Sequence, residues 1–184
     1  MITKIIYNLR NKKIITSLII FSLGIFSSYT LPPYNFLYIN FIVYPCLFAI
    51  IIFLNQSGKH LFLHGIFFGF GYFCSNLYWI SYSLTHDESF NILIPFSLIL
   101  IPLFISIFYG LFFLVLSYLK MGGNYSSILI FATLFSITEY IRGSILTGFP
   151  WNMPVYSLST LNSSIQILSL IGTYSLNLIT VTFF

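Results

Sequence analysis

Between Lys13 and Lys59 the chain carries no Asp, Glu, Lys or Arg. At about 1.5 Å of rise per helical residue, about 20 residues cross a hydrocarbon core, so this uncharged run is long enough for two crossings. Leu31-Pro32-Pro33-Tyr34-Asn35 interrupts it, and the two prolines place a turn there because each removes a backbone donor. The whole chain is built this way. Of its 184 residues, 58% are hydrophobic and 5% charged, against about 25% charged in an ordinary globular domain. Seven basic and three acidic side chains cannot cover a water-facing surface of this size, which excludes a soluble monomer. Disorder is excluded because 21% of the residues are aromatic. The fold class that remains is all-α, a polytopic transmembrane helical bundle in which every backbone group is satisfied within its own helix.

Six spans are expected, at about 14–30, 35–54, 61–82, 90–118, 125–146 and 162–184. Span four is long and carries Pro95 and Pro102, so tilt or a kink is expected there. The charges orient the bundle. Lys4, Arg10, Lys12 and Lys13 precede span one, while Lys59 and Lys120 sit in the gaps after spans two and four. The positive-inside rule puts these segments and the N-terminus in the cytoplasm and the segments 31–35, 83–89 and 147–161 outside. Arg142, near the outer end of span five, is the exception. A net charge of +4 distributed this way is a topology signal and no nucleic-acid surface. The first apolar run follows a basic segment as a signal peptide does, but Ser27-Ser28-Tyr29-Thr30 offers no small-residue cleavage site and another span follows, so an uncleaved anchor is expected. Span six reaches Phe184 without a polar flank, which suggests a chain cut short.

Few residues could carry chemistry. Cys46 and Cys74 lie inside apolar runs with no base nearby in sequence and read as small apolar fillers. His64 is expected as a polar tip near the cytoplasmic end of span three. His60 and His64 are one turn apart while His86 is assigned to the other side, so no metal site and no cofactor are expected. Gly65 and Gly69 form a small-xxx-small pair that admits a neighbouring helix. Glu139 and Arg142, at i and i+3, share a helix face inside span five and can pair there; charges at such a depth are functional candidates or a mutually satisfied structural pair. Gly148-Phe149-Pro150-Trp151-Asn152 forms the centre of the longest outer segment, where Trp151 reads as an interfacial anchor or as part of a shaped loop.

Three segments together resemble the apolipoprotein N-acyltransferase family. They are Gly65 to Trp79, with its glycines and terminal tryptophan; Glu139-Tyr140-Ile141-Arg142-Gly143 followed by Leu146-Thr147-Gly148-Phe149-Pro150-Trp151 and Tyr156-Ser157; and, more weakly, Leu31-Pro32-Pro33-Tyr34. The resemblance implies a multi-pass protein of the bacterial inner membrane, with eight spans and a periplasmic nitrilase-like domain in the whole enzyme. It implies a membrane phospholipid as acyl donor and a diacylglyceryl-apolipoprotein as acceptor, joined through a cysteine thioester. The family's catalytic Glu, Lys and Cys lie in the nitrilase-like domain, and no position of this chain matches them. Residues 1–184 are therefore read as the N-terminal transmembrane domain, with no catalytic residue of its own and no nucleic-acid partner. Trp79, Glu139, Arg142, Gly148, Phe149, Pro150 and Trp151 are the candidates that face the catalytic domain or the lipid. A separately encoded nitrilase-like portion is a further expected partner. The rival readings are a non-enzymatic product of a truncated or split gene and a small membrane transporter.

Overall fold

A computed structural model of the chain describes residues 13–54, 57–145 and 148–184. Lys4, Arg10 and Lys12, the start of the 55–60 segment at Asn55 and Gln56, and the motif residues Leu146 and Thr147 lie outside the described residues. Helix accounts for all the regular structure of the described residues, with no strand among them. Helix α1 spans Lys13–Ser28, α2 Asn40–Leu54, α3 Gly58–Leu77, α4 Ile94–Ser117, α5 Tyr125–Ser144, α6 Asn162–Ile171 and α7 Thr173–Phe183. Short 3-10 helices at Leu37–Ile39, Tyr78–His86, Glu88–Leu93 and Pro154–Leu158 fill the connections.

Local chemistry explains several of the boundaries. The Asn124 side chain accepts from the Ser127 amide at 3.0 Å and so caps α5. Asp87 does the same for Glu88–Leu93, accepting from the Ser89 amide at 2.9 Å, and the Ser89 hydroxyl and amide hold its carboxyl below the ordinary range. The α1–α2 turn holds a cis Pro32–Pro33 peptide. It is tied by buried Asn40, whose side chain accepts from Ser27 Oγ and donates to Thr30 Oγ1, both at 3.0 Å. Neither partner is reachable by solvent, so each bond replaces a water contact the folded chain cannot make.

Helix α3 is the spine. It packs most extensively against α4 and next against α1, while α5 packs on α7. Close approach is possible because the contacts are made at glycines. A Cβ on Gly65 would overlap the Tyr109 carbonyl, one on Gly24 the Phe68 carbonyl, and one on Gly69 would come within 2.7 Å of Ser106 Cβ. Around these contacts lies an aromatic core. Tyr109 sits 5.3 Å from both Phe73 and Phe135, and Phe112 lies 5.2 Å from Phe131, in ring-to-ring geometries favourable to aromatic pairs.

The outside is as apolar as the inside. Helix α4 turns Tyr109, Gly110, Ser106 and Phe113 inward and leaves Phe96, Ile99, Leu100, Leu103, Phe104, Ile107, Leu111 and Val115 exposed. Meanwhile Glu139 and Arg142 are buried, at 0% and 1% exposure. This is the reverse of the usual distribution in water.

The structure alters several boundaries expected from sequence. The stretch 162–184 is two short helices, because Gly172 takes φ 78° and its amide closes α6 on the Leu168 carbonyl. The α-helix of the third span ends at Leu77 and tightens into 3-10 geometry, and Ile94 opens α4 after a 3-10 lead-in. Among the described residues, the 30-residue stretch Glu88–Ser117 is the one that is long and apolar enough to cross a membrane on length and composition; Lys13–Ser28 and Leu37–Phe53 are apolar but shorter. His64 is no interfacial tip: it is 2% exposed, with Nδ1 3.3 Å from Ser17 Oγ, at the α1–α3 contact.

Gly65→Ala should lower the thermal unfolding midpoint in detergent micelles, since overpacking a tight contact costs about 1–3 kcal/mol. Gly122→Ala, where a Cβ would meet nothing within 4 Å, should leave the midpoint unchanged.

Candidate functional site

The sequence of α5 carries its two charges one turn apart, and the fold turns both inward. Arg142 Nη2 donates to Glu139 Oε2, and Tyr109 from α4 donates to the other carboxylate oxygen at 2.7 Å. The guanidinium also lies over the Phe73 ring of α3, 5.2 Å from its centroid. The carboxylate thus has a cation and a hydroxyl, and three helices meet on one ion pair. The pairing expected from the i, i+3 spacing is present. Neither side chain reaches the surface, so any effect outside the bundle is transmitted through what they hold.

What they hold is the segment after α5. Arg142 Nη1 donates to the Phe149 carbonyl at 2.6 Å. Tyr156 donates to the Pro150 carbonyl at 3.2 Å, and Tyr72 of α3 donates to the Asn152 carbonyl at 2.8 Å. Burial pushes the Tyr156 phenol above its ordinary range and Tyr174 adds to this, so the hydroxyl keeps its proton and stays a donor. Three carbonyls of a four-residue stretch are gripped by three side chains. Gly148 makes the bend into that stretch: it takes φ 77°, donates to the Ile145 carbonyl at 2.9 Å, and lies so close to the Gly143 carbonyl that a Cβ would overlap it. Asn177 of α7 anchors the far side, accepting from the Val155 amide at 3.1 Å and donating to Ser136 Oγ at 3.2 Å.

The clamp presents Trp151, 55% exposed, beside Trp79, 43% exposed, with ring centroids 5.7 Å apart. The rings flank an open cavity of about 710 Å³ whose apolar wall is Leu31, Pro32, Trp79, Pro150 and Trp151 and whose polar wall is Asn152, Tyr156 and Ser159. The three segments singled out in the sequence thus converge: the Leu31–Pro32 turn, the end of the third span, and the Gly148–Trp151 loop. Tyr72, Tyr109, Tyr156 and Asn152 were not singled out for a role, because nothing in a chain with 14 tyrosines marks the few that face a carbonyl or a carboxylate. Cys74 is half-buried with its thiol 3.7 Å from the Leu98 carbonyl, and Cys46 is exposed; neither joins the site.

A helical bundle with apolar outer faces, an internal ion pair and a clamped aromatic loop defines the class of domain. The family model described as the apolipoprotein N-acyltransferase N-terminal domain matches residues 23–183. The chain is 35% identical over 167 residues to an apolipoprotein N-acyltransferase of Rhodopseudomonas palustris, covering 88% of this chain and 31% of that protein. It is 33% identical over 161 residues to one of Brucella melitensis, covering 81% and 30%, and 34% identical over 172 residues to one of Rickettsia typhi, covering 90% and 33%. This chain belongs to the apolipoprotein N-acyltransferase family. It spans about a third of the length of these relatives, matching their N-terminal part.

Arg142→Met should be the most damaging single change at the site, because it leaves Glu139 buried without its cation, a loss of about 3–5 kcal/mol. Tyr72→Phe, which leaves the Asn152 carbonyl without its donor, should cost about 1–3 kcal/mol. Thermal melts in detergent read both, and tryptophan emission should shift in both as the loop loosens.

Proposed function

We propose that this chain is the membrane-embedded portion of an apolipoprotein N-acyltransferase of the bacterial inner membrane. In the complete enzyme an acyl chain passes from a phospholipid to the N-terminal diacylglyceryl-cysteine of an apolipoprotein. The observation that carries this reading is the family match over residues 23–183. The apolar outer faces of the helices support it, since hydrocarbon is the solvent such faces fit. The bundle crosses the membrane six times from a cytoplasmic N-terminus, the two short helices α6 and α7 together forming the sixth crossing. Its work is to embed the enzyme, admit the lipidated substrates laterally and support the nitrilase-like domain, which supplies the cysteine nucleophile. Trp79 and the Gly148–Trp151 loop face that domain or the lipid headgroups, and Glu139 with Arg142 sets the loop's position from inside.

Two assays test the reading. A chimera in which residues 23–183 replace the matched segment of the Rhodopseudomonas palustris relative should restore lipoprotein N-acylation, read by mass spectrometry, in cells depleted of their own enzyme. Glu139→Gln and Trp151→Ala in that chimera should lower it. The 184-residue chain alone should insert without restoring acylation. Failure of an inserted, folded chimera would favour the alternative, a non-enzymatic product of a truncated or split gene. For orientation, alkaline phosphatase fused after His86 should be active and after Gly122 inactive.

A further inference from the structure

Charge is distributed unevenly along the bundle. The chain holds three carboxylates, and none of them stands with the lysines. Asp87 and Glu88 follow the far end of α3, a helix about 30 Å long at 1.5 Å per residue, while Glu139 is buried against Arg142 and Tyr109. The near end of α3 carries the opposite sign. Lys13 opens α1 and Lys59 lies in the first turn of α3, both exposed, and Lys120 follows α4, whose Ser117 lies beside Gly58. Surface charges are screened beyond about 8 Å in physiological salt, so the distant carboxylates leave these lysines without counter-charge.

Between α1 and α3 this end has a defined geometry. The two helices are joined by two side-chain rungs one turn apart, Lys13 with His60 and Ser17 with His64. Lys13 Nζ lies 2.7 Å from His60 Nε2. An ammonium can only donate, so Nε2 accepts and the neutral imidazole carries its proton on Nδ1, which donates to Ser57 Oγ at 2.7 Å. Among the described residues, the side-chain groups left over at this surface are donors: the remaining Lys13 hydrogens, the Ser57 hydroxyl and the Lys59 ammonium. Such a face suits a ligand with several anionic oxygens, and a phosphate offers them. The surroundings select its carrier. Ile14 and Leu18 stand exposed beside the Lys13 rung, and exposed Leu63 and Phe67 continue the face of α3 that Lys59 begins, one and two turns on. The ligand therefore meets ammonium groups and apolar surface together, as a lipid phosphate does and a free phosphate does not.

We propose that the α1–α3 junction at Lys13, Ser57, Lys59 and His60 binds the phosphodiester of an anionic phospholipid. Basic sites between helices on the cytoplasmic side of a membrane take such headgroups. The lipid here is a fixed counter-ion at the end of α3 opposite the aromatic loop, where no acyl transfer is placed. This rests on the reading of the bundle as membrane-embedded with a cytoplasmic N-terminus, and deepens it by naming the lipid class that completes its basic end.

Native mass spectrometry of the full chain, released from dodecyl maltoside micelles, counts the lipids it retains at rising phosphatidylglycerol or phosphatidylcholine. One phosphatidylglycerol should be retained at concentrations where phosphatidylcholine is not. Lys13→Gln and Lys59→Gln should each weaken that first binding about fivefold, the effect of one basic charge near a headgroup. Lys120→Gln, at the same end but beyond α4, should leave it unchanged, and all three variants should keep the helical circular dichroism of the parent. Equal retention of the two lipids, or equal weakening by all three substitutions, would overturn the proposal, since the first denies headgroup recognition and the second shows a diffuse field. Competition by water-soluble glycerol 3-phosphate at the same concentration as the lipid would also overturn it, reassigning the junction to free phosphate. The outcomes separate from those of the chimera: acylation without selective phosphatidylglycerol binding removes this site and leaves the functional reading, whereas selective binding without acylation does the reverse.

Discussion

Glu139 and Arg142 place a carboxylate and a guanidinium where no solvent reaches them. A buried pair of this kind is weak as a source of stability, since the desolvation of two ions offsets most of their attraction. Its effect lies in what becomes unfavourable once it exists. Each partner must keep its other hydrogen-bond sites occupied, and here that requirement recruits Tyr109 from α4 to the carboxylate and the Phe149 carbonyl to the guanidinium. Any arrangement that separates α4 or the loop from α5 leaves the pair together but strips the carboxylate of its Tyr109 donor or the guanidinium of its Phe149 acceptor in an apolar interior. The pair therefore acts on geometry, selecting one register of α5 against its neighbours and one path for the chain beyond it.

The aromatic loop depends on that selection. Phe149, Pro150 and Asn152 are each held by the carbonyl; the Phe149 side chain packs against the core, while Pro150 and Asn152 line the cavity. Backbone anchoring by Arg142, Tyr156 and Tyr72 explains how Trp151 can be half exposed and still have a defined position beside Trp79. The glycine contacts along α3 serve the same end from the other side. By bringing α1 and α4 against α3 at backbone distance, they fix the tyrosine row Tyr72 and Tyr109 under the loop. In the lipid setting proposed for this bundle, where apolar side chains gain little by leaving lipid for protein, such close packing and internal hydrogen bonds would carry the association of helices.

Much of this could be read from the amino acids in order. The uncharged run from Lys13 to Lys59, broken at Pro32-Pro33, required helices and a turn, and helices with that turn are present. The i, i+3 spacing of Glu139 and Arg142 announced a pair. The small-xxx-small pattern at Gly65 and Gly69 announced a close helix contact, and Gly65 meets Tyr109 and Gly110 of α4. What failed was continuity. An apolar run such as 162–184 reads as one continuous helix because hydropathy is blind to the dihedral of Gly172, and a histidine in an apolar helix reads as an interfacial tip because nothing local shows that Ser17 of another helix covers it.

Composition and charge spacing determined by themselves that this protein is helical, because helix formation depends on local periodicity and on the cost of leaving backbone or charge without a partner; the segments that resemble the family were legible as residue patterns. Tertiary structure alone decided that Leu31, Trp79 and Trp151, far apart in the chain, wall one cavity, and that three tyrosines and an arginine serve the loop and its ion pair. Those roles require contacts between residues up to 80 positions apart, as between Tyr72 and Asn152. Such contacts are set by how helices pack, a property of the assembled bundle that no single segment encodes.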